Sequence, residues 1–269
     1  MMGFWARVLC SAAVVAVLAL VACSGTSSNL GKFYNGRTLT ISVVTIERAP
    51  ELRYATIDPE QVIRRWRLVP SSADLELVLV RMKVQNHTAV NAIVHVDEQA
   101  AELRDFLRGS YFLVDLSNQL YQDLRGQPDV TVHVREGQCF DPNRMYVSQG
   151  TTVRWTNDDT VVQYLKLDPA DAETQTIAPG ESFTRAFDEA GILDYECSAQ
   201  DTEAQPARIE IEAAGGEPPI RERSFLFING SFELLKGTGI DGWLIFEAPE
   251  GTEFRDLRWR AGDTITITF

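Results

Sequence analysis

The chain has 269 residues, with 25 Lys+Arg against 38 Asp+Glu and a formal net charge of −13. An acidic balance with no basic stripe is repelled by phosphates and by anionic lipid, which excludes a nucleic-acid partner. Hydrophobic residues make up 45%, enough for packed domains and too many for long disorder.

Residues 1–22 have the pattern of an export signal. Arg7 precedes an apolar run from Val8 to Ala22, broken by Cys10 and Ser11. At about fifteen residues the run suits a signal core and falls short of the roughly 20 needed to span a bilayer. Leu20-Val21-Ala22-Cys23 resembles the lipobox of bacterial lipoproteins. The resemblance implies cleavage before Cys23, acylation of its thiol, and residence on the extracytoplasmic face of the cell membrane. Each buried methylene contributes about 0.8 kcal/mol and firm attachment takes more than one chain, which a multiply acylated Cys23 supplies. Residues 23–35 are polar and small at their start and are predicted to form a flexible tether. The mature protein then keeps two further cysteines, Cys139 and Cys197, in a compartment where disulfides persist.

From residue 36 onward apolar and polar residues alternate with period two, as half-buried strands do. Thr38-Leu39-Thr40-Ile41-Ser42-Val43, the run from Leu75 to Val84, Val130-Thr131-Val132-His133-Val134 and Thr264-Ile265-Thr266-Ile267-Thr268-Phe269 are examples. Turn signals separate them at Asn35-Gly36, Gln149-Gly150, Pro179-Gly180 and Gly215-Gly216. Residues 98–107 are the best candidate for a short helix. Several short strands at regular spacing indicate an all-β chain of sandwiches. Gly126-Gln127-Pro128 and the stretch from Ala213 to Pro219 bracket a central block, residues 128–214.

The flanks carry Lys83-Val84-Gln85-Asn86, then the stretch from Phe112 to Tyr121, then Gly242-Trp243-Leu244-Ile245-Phe246-Glu247-Ala248-Pro249. In that order they resemble one Ig-like sandwich of the DUF4352 type, found on bacterial surface lipoproteins. The resemblance implies that residues 36–124 and 224–269 fold together with the central block inserted between them. Three consecutive small β-modules are the alternative, in which the C-terminal piece would be marginal alone.

The central block reads Cys139-Phe140-Asp141-Pro142, Val147-Ser148-Gln149-Gly150-Thr151-Thr152-Val153-Arg154-Trp155-Thr156-Asn157-Asp158-Asp159, Pro179-Gly180-Glu181-Ser182-Phe183 and Gly191-Ile192-Leu193-Asp194-Tyr195-Glu196-Cys197. It resembles cupredoxins over about 80 residues, implying a cupredoxin-like Greek-key domain. A type 1 copper centre takes two imidazoles and a thiolate with a weak axial ligand. Carried over by position, the first imidazole falls at Gln163, the thiolate at Cys197, the second imidazole at Gln200 and the axial ligand at Glu203. His87 and His95 lie in the flank, and His133 on the block's first strand.

Cys139 and Cys197 together resemble the cysteines in cupredoxin-like domains of periplasmic iron-uptake proteins, with one residue more before the proline. Two outcomes stay open. The pair forms a disulfide, which by closing a loop of about 58 residues stabilises by roughly 4 kcal/mol. Otherwise Cys139 and Cys197 stay as thiolates and bind a soft metal, copper first among them, beside Gln163, Gln200 or Glu203. The acidic set Asp194, Glu196, Asp201 and Glu203 could also hold a hard cation. Gly237-Thr238-Gly239 reads as a hairpin turn, and the sequons at Asn86 and Asn229 as coincidental in a bacterial protein. His95 and Asp97 share a strand face with no nucleophile expected beside them. Together these readings give a non-catalytic, lipid-anchored binding or assembly protein without a cofactor, whose partner is an extracytoplasmic protein or ligand. A copper-binding or electron-transfer cupredoxin is the alternative.

Overall fold

A computed structural model describes residues 29–57, 61–135, 138–167, 174–199, 202–214 and 225–269. The expected leader and Cys23 lie outside the described residues, as do Gln200 and Asp201. The N-terminal stretch forms β1 (Tyr34–Asn35), β2 (Leu39–Ala49), β3 (Leu52–Ile57), β4 (Ile63–Leu68), β5 (Leu75–Asn86) and β6 (Asn91–Val96). It continues with β7 (Ala101–Asp105), β8 (Ser110–Phe112), the single-turn helix α1 (Leu116–Gln119) and β9 (Leu120–Asp123). The central stretch forms β10 (Asp129–Arg135), β11 (Gln138–Asp141), β12 (Arg144–Ser148), β13 (Thr152–Asn157) and β14 (Gln163–Leu167). After it come β15 (Thr174–Ile177), β16 (Ser182–Ala186), β17 (Gly191–Ala199) and β18 (Gln205–Glu212). β19 (Gly230–Leu235), β20 (Gly239–Pro249), β21 (Phe254–Trp259) and β22 (Ile265–Thr268) complete an all-β chain.

Strands on either side of the central stretch pair with one another. β5 lies between β2 and β20 in the sheet β1-β2-β5-β20, and β7 lies beside β21 in the sheet β22-β21-β7-β8. These two sheets and the ribbon β19-β6 enclose a core that includes Val80, Met82, Leu103, Phe246, Leu257 and Trp259. Leu30 and Tyr34 pack against the same core, so residues expected to belong to a tether contribute to the folded body.

The central strands form a second sandwich. The sheet β11-β10-β13-β16 faces β15-β14-β17-β18-β12, with β10–β13 and β12–β18 paired in parallel. Trp155, Tyr195 and Phe140 fill its centre, with ring centroids 5.7 Å apart for Trp155–Tyr195 and 4.6 Å for Phe140–Tyr195. Each such buried aromatic contributes about 2–3 kcal/mol through apolar area removed from water.

The two sandwiches share a sheet. β12 pairs in parallel with β9 as well as β18, and β9 continues through β4 to β3, giving eight strands in the order β15-β14-β17-β18-β12-β9-β4-β3. The far end of that sheet covers the outer face of β5 and β20 with a third core of Leu52, Tyr54, Leu68, Leu77, Leu79 and Ile245. β5 is therefore apolar on both faces along Leu77-Val78-Leu79-Val80, and its alternation lapses where no face meets water.

A polar clasp crosses the junction. The guanidinium carbons of Arg67 and Arg125 lie 4.1 and 4.6 Å from the Tyr146 ring centroid, and Arg53 lies 6.0 Å away. Arg67 pairs with Glu51 at 2.7 Å and Glu210 at 2.8 Å, while Arg125 pairs with Asp123 at 2.7 Å and Glu212 at 3.0 Å. Tyr146 Oη donates to Glu212 at 2.9 Å. Burial, with help from the Glu212 hydrogen bond, pushes the Tyr146 hydroxyl up to about 12 against the opposing effect of the two arginines.

Two expectations change. Residues 98–107 are not helical, because Ala101–Asp105 is strand β7 between β21 and β8. Its polar residues are buried with partners: Glu102 accepts from Ser110 at 2.6 Å and pairs with Arg260, and Asp105 accepts from Tyr111 at 3.0 Å. Buried acids break the apolar–polar alternation and mimic a helical period. Gly237-Thr238-Gly239 is a turn but closes no hairpin, since β19 pairs with β6 while β20 pairs with β5. Gly237 sits at φ 82, where only glycine is unstrained, and donates its N–H to Asn86 O at 2.7 Å. Asn86 itself is 0% exposed and its amide donates to Ala89 O and Leu234 O, so that sequon is closed to modification.

Candidate functional site

At one end of the central sandwich lies a cleft of about 610 Å³, lined by Arg135, Cys139, Asp159, Gln163, Tyr164 and Gln205 among others. Asn157, the last residue of β13, builds its rim. Its buried side chain donates to Val161 O at 2.9 Å and Ile177 O at 2.8 Å, and its Oδ1 accepts the Asp159 N–H at 2.9 Å. Those bonds pin residues 158–162 and set Asp159 over the mouth of the cleft.

Asp159 Oδ2 in turn accepts a hydrogen bond from Gln163 Nε2 at 2.9 Å. Gln163 opens β14 and is only 3% exposed, with its Oε1 3.8 Å from Cys197 Sγ. Cys197 on β17 is joined to Cys139 on β11 by a disulfide, S–S 2.06 Å with Cα atoms 6.0 Å apart. The bond ties the edge strand of one sheet to an inner strand of the other. Gln205 Oε1 accepts the Cys139 N–H at 3.1 Å, which fixes the cysteine's backbone from below.

Charge enters from β10. Arg135 lies 3.7 Å from both Asp141 and Asp158, and His133 Nδ1 lies 2.6 Å from Asp158 Oδ2 without lining the cleft. Among the described residues the cleft thus offers one cation, one carboxylate, two amides and the hydroxyls of Thr160, Thr202 and Tyr164, against an apolar wall of Val161, Val162 and Pro179. That mixture suits a polar organic ligand with an apolar body better than a bare ion.

Of the residues carried over as copper ligands, the structure brings Cys139, Cys197 and Gln163 together. Glu203 is exposed, and Gln200 lies outside the described residues. This donor set does not fit a type 1 centre. The Cys197 sulfur is bonded to Cys139 and offers no thiolate, and an amide tied to Asp159 stands where an imidazole is required. Among the described residues no group of three or more His, Cys, Asp or Glu is arranged to hold a metal. The acidic set does not converge on a cation either. Asp194 pairs with Arg208 at 2.5 Å, Glu196 faces Lys166 at 3.8 Å, and Asp201 lies outside the described residues.

One contact was unexpected: His95 Nδ1 lies 2.8 Å from Ser231 Oγ across the β6–β19 ribbon. Asp97 does not orient that imidazole, since its carboxylate caps the Gln99 N–H at 3.0 Å. An exposed Ser–His pair lacking an orienting acid is not a nucleophilic relay. The cleft residues that sequence reasoning missed are Arg135, Asp159 and Gln205. Asp159 sits inside the Asn157-Asp158-Asp159 motif and could have been found there; Gln205 has no local signal.

No protein-family model matches the sequence, and no curated protein matches it. Among solved structures, a purple cupredoxin from Nitrosopumilus maritimus is similar at 21% identity, covering 31% of this chain and 100% of that one, with a TM-score of 0.27. A multicopper oxidase is similar at 13% identity, covering 65% of this chain and 97% of that one, also with a TM-score of 0.27. At that score neither likeness bears on what this chain binds.

Proposed function

We propose that this chain is a membrane-anchored extracytoplasmic binding or assembly lipoprotein, attached through acyl chains on Cys23. Its cupredoxin-like central domain uses the cleft above Cys139–Cys197 for a polar ligand or partner segment and works without copper. The observation that carries the reading is the state of the thiolate position: Cys197 is cross-linked to Cys139 while Gln163 is held by Asp159. No catalytic step is assigned, because among the described residues the cleft pairs no nucleophile with a base. Residues 36–124 with 224–269 act as an Ig-like platform that presents the domain.

Copper and zinc titration of the purified, oxidised protein, with metal analysis and a visible spectrum, tests this directly. The expected result is no stoichiometric binding and no intense thiolate-to-copper absorption. One tightly held copper per chain with such a band would replace this reading with that of an electron-transfer cupredoxin.

A further inference from the structure

The point where the described chain begins lies at the same end of the flanking sandwich as an apolar protrusion. Asn29 Nδ2 donates to Thr268 O at 2.8 Å, on the outer strand of the sheet β22-β21-β7-β8. Thr268 is paired with Asp256, and Asp256 with Arg104. Two strand spacings, about 10 Å, thus separate the partner of Asn29 from Arg104, and the β7–β8 turn begins just after Asp105, the last residue of β7. That turn holds Phe106 and Leu107 out to solvent, 62% and 88% exposed.

The turn is built to keep them there. Asp105 Oδ1 accepts the N–H groups of Leu107 at 2.8 Å and Gly109 at 2.6 Å, and its Oδ2 accepts from Tyr111 Oη at 3.0 Å. A Cβ on Gly109 would come within 2.5 Å of that carboxylate, so glycine is needed for the turn to close around it. A buried acid spent on presenting two large apolar side chains to water calls for a surface that takes them up.

We propose that the Phe106–Leu107 turn inserts into the bilayer surface that holds the acylated Cys23. The proposal rests on the anchor described under Proposed function. Five residues lie between Cys23 and Asn29, so six steps of chain give a reach of at most about 22 Å, and an anchored body keeps this end close to the lipid. Arg108 follows Leu107 and meets headgroup phosphates, while the acidic chain as a whole gains nothing from anionic lipid. The contact therefore draws on apolar burial in the interfacial region, and zwitterionic lipid suffices.

The test uses the mature acylated protein, which begins at Cys23 and so lacks Cys10, in phosphatidylcholine vesicles, with an environment-sensitive fluorophore on Leu107→Cys or on Val90→Cys. With Cys139 and Cys197 in a disulfide and Cys23 acylated, the introduced thiol is the free one. Val90, 85% exposed beside Lys236 at the opposite end of β5, is the control. The label at 107 is expected to shift its emission to the blue and to be quenched by lipid-borne nitroxides, and the label at 90 to do neither. Vesicles that carry the protein with both labels equally solvated would overturn the insertion while leaving the anchor standing. Protein that does not float with vesicles removes the anchor, and the insertion with it.

Discussion

Asp256 shows how much a single carboxylate can decide in this chain. It is 4% exposed on β21, where burial opposes its charge, yet hydrogen bonds from Arg104 at 2.6 Å and Arg255 at 2.8 Å hold its pKa below the usual carboxylate range. A folded-state value below the unfolded one, about 3.9, contributes stability that is complete above that unfolded value. The contribution is lost as pH falls through the lower folded value. Asp256→Asn is therefore expected to cost about 1–2 kcal/mol at neutral pH, the two arginines being partly exposed. Urea midpoints of wild type and variant should begin to converge as pH falls below about 4 and meet only below the lower folded value. A gap that stays constant down to pH 2 would show that the ion pairs contribute nothing.

At the scale of elements, the arginine–tyrosine clasp decides how β4, β9, β12 and β18 stay together. Arg67→Ala removes the guanidinium that pairs with Glu210 and covers the Tyr146 ring. Breaking a mostly buried pair costs about 3 kcal/mol, and urea denaturation should register a loss of that order. A loss under about 1 kcal/mol, the ordinary worth of a surface pair, would mean that the clasp is ornamental. Little of it was legible in the sequence. Strands such as β10 and β22 announce themselves because one face meets water and every second residue says so. Leu77-Val78-Leu79-Val80 signals double burial by an unbroken apolar run, but not what covers each face. Glu102 and Asp105 misled, because a buried acid with partners looks like an exposed one until those partners are known. The clasp joins residues from Glu51 to Glu212, and no local spacing encodes such a meeting. The cleft was half legible: Cys197, Cys139 and Gln163 stood at motif positions, whereas Arg135 and Gln205 reach it only through the fold.

For the molecule as a whole, the shared sheet makes a claim about cooperativity that composition alone would reverse. Residues 36–124 with 224–269, and residues 128–214, each have a core of their own, and separate cores ordinarily melt separately. The backbone junction is slight, since β9 and β12 pair only at Met145–Gln122 and Tyr146–Asp123. Coupling therefore falls to the clasp's contacts, in a sheet whose far end the third core fastens to β5 and β20. If those contacts together exceed the difference in stability between the two cores, neither sandwich unfolds first. Calorimetry of the oxidised protein should then give one endotherm whose van't Hoff enthalpy matches the calorimetric one. Arg67→Ala should split it into two, because it removes a contact between the sandwiches while touching neither main core. Two resolved endotherms in the wild type would show that the eight-stranded sheet is continuous in geometry but not in energy.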